Sequence, residues 1–151
     1  MAPRPLSVLE DEVFVEFGVF VLQEHFSPRV ALAAGRPDVT EVVRAGPGGA
    51  TFRSGGVDHL ARVRVESWSG RYVGDDGTWE EAAAAVVEFD RVEVRLASVT
   101  AWVSDEGLVL PGPGRYVVDV RVSGRSRVPE WSGEPVHGVE RWLVRLHRAL
   151  D

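Results

Sequence analysis

Between Tyr116 and Ser123 the chain alternates without a break. Tyr116, Val118, Val120 and Val122 share one parity; Val117, Asp119, Arg121 and Ser123 share the other. A period of two, with β-branched and aromatic residues on one side, specifies a strand with one face against a core. Directly before it stands LVLPGPG, Leu108–Gly114. A phosphate-binding loop would open a helix, and its Walker form needs a lysine. Here a strand follows, two prolines remove amide donors, and the 151-residue chain contains no lysine. Pro111–Gly114 is therefore read as a bend that launches a strand.

The same periodicity recurs along the chain. VFVEFGVFVLQ (Val13–Gln23) is apolar on both parities, which predicts a doubly covered strand with a bulge at Gly18. Residues 24–49 are punctuated by glycine and proline and have room for a helical turn at Val30–Ala34 or Val39–Arg44. Ala50–Ser54 is a short strand, and His59–Gly70 contains a clear half-buried one. Thr78 and Glu81 have capping-box spacing for a brief helix before the β-rich stretch Ala85–Ser104, whose phase switches near Asp90-Arg91. The last segment, VERWLVRLHRAL, fits both periods; the punctuation before it favours a strand. Residues 1–12 are expected to be a loose lead-in to a single β-sandwich domain over 13–151. The fold expected is all-β: a two-sheet antiparallel β-sandwich of about seven to nine short strands, with at most one or two short helical turns.

Composition then removes function classes. With no cysteine there is no disulfide, zinc-thiolate site, iron–sulfur cluster or cysteine nucleophile. His25, His59, His137 and His147 show no zinc-type spacing, and no G-x-S-x-G elbow exists. We expect no catalytic residue, no metal and no cofactor. The net charge of −6 opposes direct nucleic-acid binding and suits a basic partner. No apolar run is long enough to cross a membrane as a helix, and no signal peptide is read, so a cytoplasmic protein without a membrane partner is expected. The basic residues are all arginine, and Ala, Val and Gly are abundant, as in a GC-rich bacterial genome.

Charge is unevenly distributed. Acidic residues gather at Glu10–Glu24 and again at Asp75–Asp90, whereas arginines gather late, from Arg115 to Arg148. Trp79 and Trp131 lie in loops beside turn residues. Charge steers encounter and aromatics anchor it. Asp75, Asp76, Trp79, Glu80, Glu81 and Trp131 are therefore the candidate partner-binding residues, for a basic protein such as a nuclease or toxin. One alternative is a small-molecule or carbohydrate site that stacks its ligand on Trp79 or Trp131. Another is an enzyme site assembled from His59, His137 and an acid.

The order VFVEFGVFVLQ, GATFRSGG, LARVRVES, LVLPGPGRYVVDVRV and GVERWLVRL resembles that of the competence protein J family. The apolar–Pro–Gly–aromatic run from Leu110 to Tyr116 is the best local match. The resemblance implies a non-enzymatic β-sandwich that binds a partner protein, since the family's known member inhibits a DNA-entry nuclease. It carries over no site residues.

Overall fold

The computed structural model describes residues 3–74, 77–100, 102–130 and 134–150. Two five-stranded sheets pack face to face. The first, sheet A, has the order β1 (Ser7–Val15), β5 (His59–Ser67), β10 (His137–Arg148), β9 (Gly114–Ser123), β6 (Glu81–Phe89). The second, sheet B, runs β3 (Val43–Gly46), β4 (Gly49–Arg53), β2 (Val19–Glu24), β7 (Glu93–Ala97), β8 (Leu108–Val109). The expected all-β sandwich is observed, with ten strands among the described residues. One pairing departs from the antiparallel rule: β10 lies parallel to β5. Two short 3₁₀ turns complete the described secondary structure, Ala31–Ala34 and Arg125–Arg127.

Alternation sets which side chains enter the core. On β9, Tyr116, Val118, Val120 and Val122 are fully buried, while their neighbours of the other parity are partly exposed. On β10, Trp142, Val144 and Leu146 point inward, so the C-terminal segment is a strand. The sheets meet through Phe20 and Phe52, stacked at 4.9 Å. The Trp142 ring stands edge-on to both, at 5.1 and 5.6 Å. Such contacts add about 0.5–1.5 kcal/mol per pair beyond the area buried.

Three local expectations change. Val13–Gln23 is two strands in different sheets. The chain turns at Phe17 and Gly18, both at positive φ (54° and 80°), and Glu16 pairs with Val19 across the turn. The inward parity switches there, from Val13 and Val15 to Phe20 and Leu22. The outer side of β2 is apolar as well, because Val21 packs under Ala31 and Leu32 of the first 3₁₀ turn. The phase switch at Asp90-Arg91 is a second such crossing, from β6 to β7. Ser7–Glu12, expected as a loose lead-in, is paired with β5 over its whole length. The helix suggested by Thr78 and Glu81 does not form. Glu81–Ala85 pairs with Val122–Val118 instead, because a ladder along β9 outweighs the modest helix preference of four alanines.

Pro111–Gly114 is the bend expected. It carries the chain from β8 in sheet B to β9 in sheet A. The Tyr116 hydroxyl donates to the Gly112 carbonyl at 2.6 Å, and Arg148 donates to the Pro113 carbonyl at 3.0 Å.

A second tie holds the connection after β2. The Glu24 carboxylate, wholly inaccessible, accepts from Arg29 at 2.7 Å, from Ser27 at 2.6 Å and from the amides of Asp90 and Arg91. Burial alone would raise its pKa. The hydrogen bonds from Arg29, Ser27 and the two amides overcome that and hold it at about 2, against an ordinary 4.5. The carboxylate therefore stabilises the fold fully above pH 4.5, and this contribution fades as pH falls toward 2. Glu24→Gln is expected to cost about 3 kcal/mol at neutral pH. The gap from wild type should close on acidification, as measured by urea unfolding across pH 7 to 3.

Candidate functional site

One Ser–His–acid group does converge, and it lies inside the sandwich. His59 and Glu140 are fully buried and Ser54 nearly so. The Ser54 hydroxyl donates to Glu140 Oε2 at 2.9 Å and accepts from His59 Nε2–H at 2.6 Å and from the Gly56 amide at 3.0 Å. The Gly55 amide also donates to Glu140 Oε2, and Trp142 Nε1 donates to Oε1 at 2.6 Å. A catalytic triad places its acid on His Nδ1, so that the other nitrogen can accept the serine proton. Here the acid sits on the serine, and His59 Nδ1 has no partner. The arrangement is a lock between the β4–β5 connection and β10. His137 takes no part in it; that side chain is exposed and bonds Glu12. The enzyme site imagined from His59, His137 and an acid is thus not assembled.

The outer face of sheet A is the functional candidate. β5 and β6 lie on opposite sides of β10 and β9, so the chain between them must cross that face; its described parts are residues 68–74 and 77–80. Aromatic residues pin it. Trp68 donates to Glu66 at 2.9 Å, Tyr72 lies 3.7 Å under the Arg145 guanidinium, and Trp79 lies 5.4 Å from Arg141. Between this strap and β1 runs a groove of about 480 Å³, with Trp79 on one side and Glu10 and Glu12 on the other. Its floor carries Arg62, Arg64 and Arg141. Arg64 is held by Glu66 at 2.7 Å and by Glu10 at 2.9 Å. Among the described residues Arg62 has no ion-pair partner, although it stands beside Arg141 in register.

The rim of the groove along β1 is acidic. Asp11 stands among Glu12, Asp105 and Glu106. Burial and then the charges of these carboxylates raise its pKa, against a hydrogen bond from the Glu12 amide. The free protein therefore carries a self-repelling patch at this edge.

The expected site residues have separate fates. Trp79 lines the groove. Glu80 accepts from the Gly124 amide at 2.8 Å and pairs with Arg127 at 3.1 Å; Glu81 pairs with Arg125 at 2.7 Å. Their charge is thus matched within the molecule. Asp75, Asp76 and Trp131 lie outside the described residues. Asp11, Asp105, Glu106, Arg62 and Arg141 were not singled out as a site. The acidic run at Glu10–Glu12 was a visible signal; its meeting with Asp105 and Glu106 depends on sheet packing.

No family model matches the chain, and no curated protein does. Two solved structures share its fold. ComJ, the inhibitor of the DNA-degrading activity of NucA from Bacillus subtilis, aligns with a TM-score of 0.61 at 11% identity, covering 99% of this chain and 100% of ComJ. A protein named Crocagin biosynthetic gene J aligns with a TM-score of 0.61 at 9% identity, again over 99% of this chain and 100% of that one. The fold expected from the pattern of strands and bends is thus the fold of ComJ, over nearly the whole chain.

The buried lock has a measurable signature. Burial lowers the pKa of His59 from its ordinary 6.5, with the Glu140 charge opposing. The folded state therefore binds fewer protons there than the unfolded chain, and stability declines as pH drops below about 6.5. His59→Gln should flatten that part of the stability profile. Glu140→Ala strands the Trp142 indole, the Ser54 hydroxyl and the Gly55 amide, and should cost about 3 kcal/mol or more in chemical denaturation.

Proposed function

We propose that this protein is a non-enzymatic binding module that docks a basic protein, of the nuclease-inhibitor kind, on the rim and groove of sheet A. The acidic rim carries the proposal. The charges of Glu12, Asp105 and Glu106 oppose ionisation of Asp11 in the free protein, and a cationic partner relieves that repulsion on contact. Beside it Trp79 supplies a large, half-buried aromatic surface of the type that anchors protein interfaces. The fold it shares with ComJ, itself an inhibitor of a DNA-degrading enzyme, supports a nuclease as the class of partner. The carbohydrate reading draws less support, since Arg141 already lies over the Trp79 ring where a sugar would stack.

The test is inhibition of DNA degradation across a panel of basic nucleases, with wild-type protein and with Asp11→Lys, Glu106→Lys and Trp79→Ala. One nuclease should be inhibited stoichiometrically, with affinity falling as salt rises. Each charge reversal should weaken inhibition by about tenfold, and Trp79→Ala by more. Inhibition that ignores both the charge reversals and salt would remove the rim from the site; no inhibition of any nuclease would remove the partner class.

A further inference from the structure

A β-sandwich of two open sheets has four edge strands, and an uncovered edge invites pairing with another chain. Three of the four are blunted here. β3 has four residues and β8 two. β1 is long but carries Glu10, Asp11 and Glu12 at its centre. β6 is different: nine residues, with Ala82–Val87 uninterrupted by charge or proline. Ala82, Ala84 and Val86 are exposed. An open groove of about 440 Å³ runs beside this edge, lined by Glu81–Ala84 and by Thr40–Val43.

The backbone of β6 shows which groups are free. The Glu88 carbonyl points away from β9, because it accepts from the Gly48 amide at 2.8 Å. Residues of the same parity point the same way. The N–H and C=O groups of Ala82, Ala84 and Val86 therefore face outward, and among the described residues they have no backbone partner. The free run is bounded at one end by the Glu88–Gly48 bond. At the other, the Glu80 amide turns back to the Val122 carbonyl at 3.2 Å.

We propose that this edge pairs with the same edge of a second copy of the chain, β6 to β6, antiparallel about a two-fold axis at Ala84. The free groups are arranged symmetrically about that residue. In this register Ala82 faces Val86 of the second copy, Ala84 faces its own mate, and every outward N–H and C=O of the three residues finds a partner. Small side chains meet on the outer face of the seam. The flanking carboxylates bring no bare charge to it: Glu81 is paired with Arg125, and Glu88 with Arg29. Each copy offers one such edge, so pairing closes at two and joins the two A sheets into one. The edge lies across sheet A from the acidic rim, so the pairing stands independently of the proposed partner docking.

Sedimentation equilibrium up to on the order of 100 μM protein decides it, since a short ladder gives a modest affinity. Wild-type protein should approach twice the monomer mass. Ala84→Pro, which deletes an outward N–H that β9 does not use, and Ala84→Lys, which sets two ammonium groups face to face, should stay monomeric with unchanged circular dichroism. Hydrogen exchange of wild-type protein should show the Ala82, Ala84 and Val86 amides slowed at high concentration and fast at low. A wild-type monomer at all concentrations overturns the proposal. So does a dimer in which those three amides exchange freely, or a folded Ala84→Lys variant that still dimerises.

Discussion

The indole of Trp142 makes two opposite demands, and meeting both organises the molecule. Its ring belongs in the apolar interior, where it touches Phe20 and Phe52 of the facing sheet. Its N–H must still find an acceptor, because an unpaired donor buried there costs more than the hydrogen bond is worth. Glu140, two residues earlier on the same face of β10, is that acceptor. A buried carboxylate needs donors in turn, and Ser54 and the Gly55 amide supply them from the β4–β5 connection. That connection links the two sheets. One aromatic residue at the core therefore requires a polar lock that fixes how sheet B hands over to sheet A. The serine, histidine and glutamate are structural for the same reason: they are consumed by the lock.

With β10 fixed at the centre of sheet A, the strap becomes unavoidable. β5 and β6 flank the β10–β9 pair, and the chain must pass over its outer face to join them. An outer face of bare alternating charge would hold such a segment poorly. Tyr72 on Arg145 and Trp79 beside Arg141 hold it through cation–aromatic contacts, which suit a loop because they need little directional precision. The strap covers part of the face and leaves the groove toward β1. The candidate site is thus a by-product of topology: where the crossover does not reach, sheet A stays open.

Much of this was legible in the sequence, and the losses have a common cause. Period-two alternation identified β5 and β9, the glycine and proline punctuation before it tipped β10 to a strand, and the proline–glycine bend before β9 was placed correctly. Alternation records whether a residue points in or out; it does not record which sheet it points from. At Phe17–Gly18 and at Asp90-Arg91 the inward parity flips. A bulge flips parity too, so a change of sheet was indistinguishable from one within a strand. The alanines of β6 failed differently. Their local preference favours a helix, and only the ladder to β9, more than thirty residues away at Glu81–Val122, makes them a strand. The site suffered from the same distance. Trp79 was visible as an aromatic beside a turn. That Arg125 and Arg127 would neutralise Glu81 and Glu80, and that Asp105 and Glu106 would crowd Asp11, are facts of packing.

The charge pattern of sheet A now divides by position. On the face, carboxylates pair with guanidiniums, across strands for Glu10 with Arg64 and Glu66 with Arg145, and along β9 for Asp119 with Arg121. Opposite charges this close cancel at a distance and leave little field for an approaching molecule. At the β1 rim Asp11, Asp105 and Glu106 have no ion-pair partner among the described residues, and their field survives. Long-range attraction and short-range contact are therefore assigned to different residues. In the proposed docking, Asp11, Asp105 and Glu106 would set where a basic protein arrives, and the Trp79 groove beside them how closely it fits once there. Asp11, with Glu10 and Glu12 beside it, also keeps β1 from pairing with a stray strand, so the carboxylate proposed to attract a partner protects an edge as well.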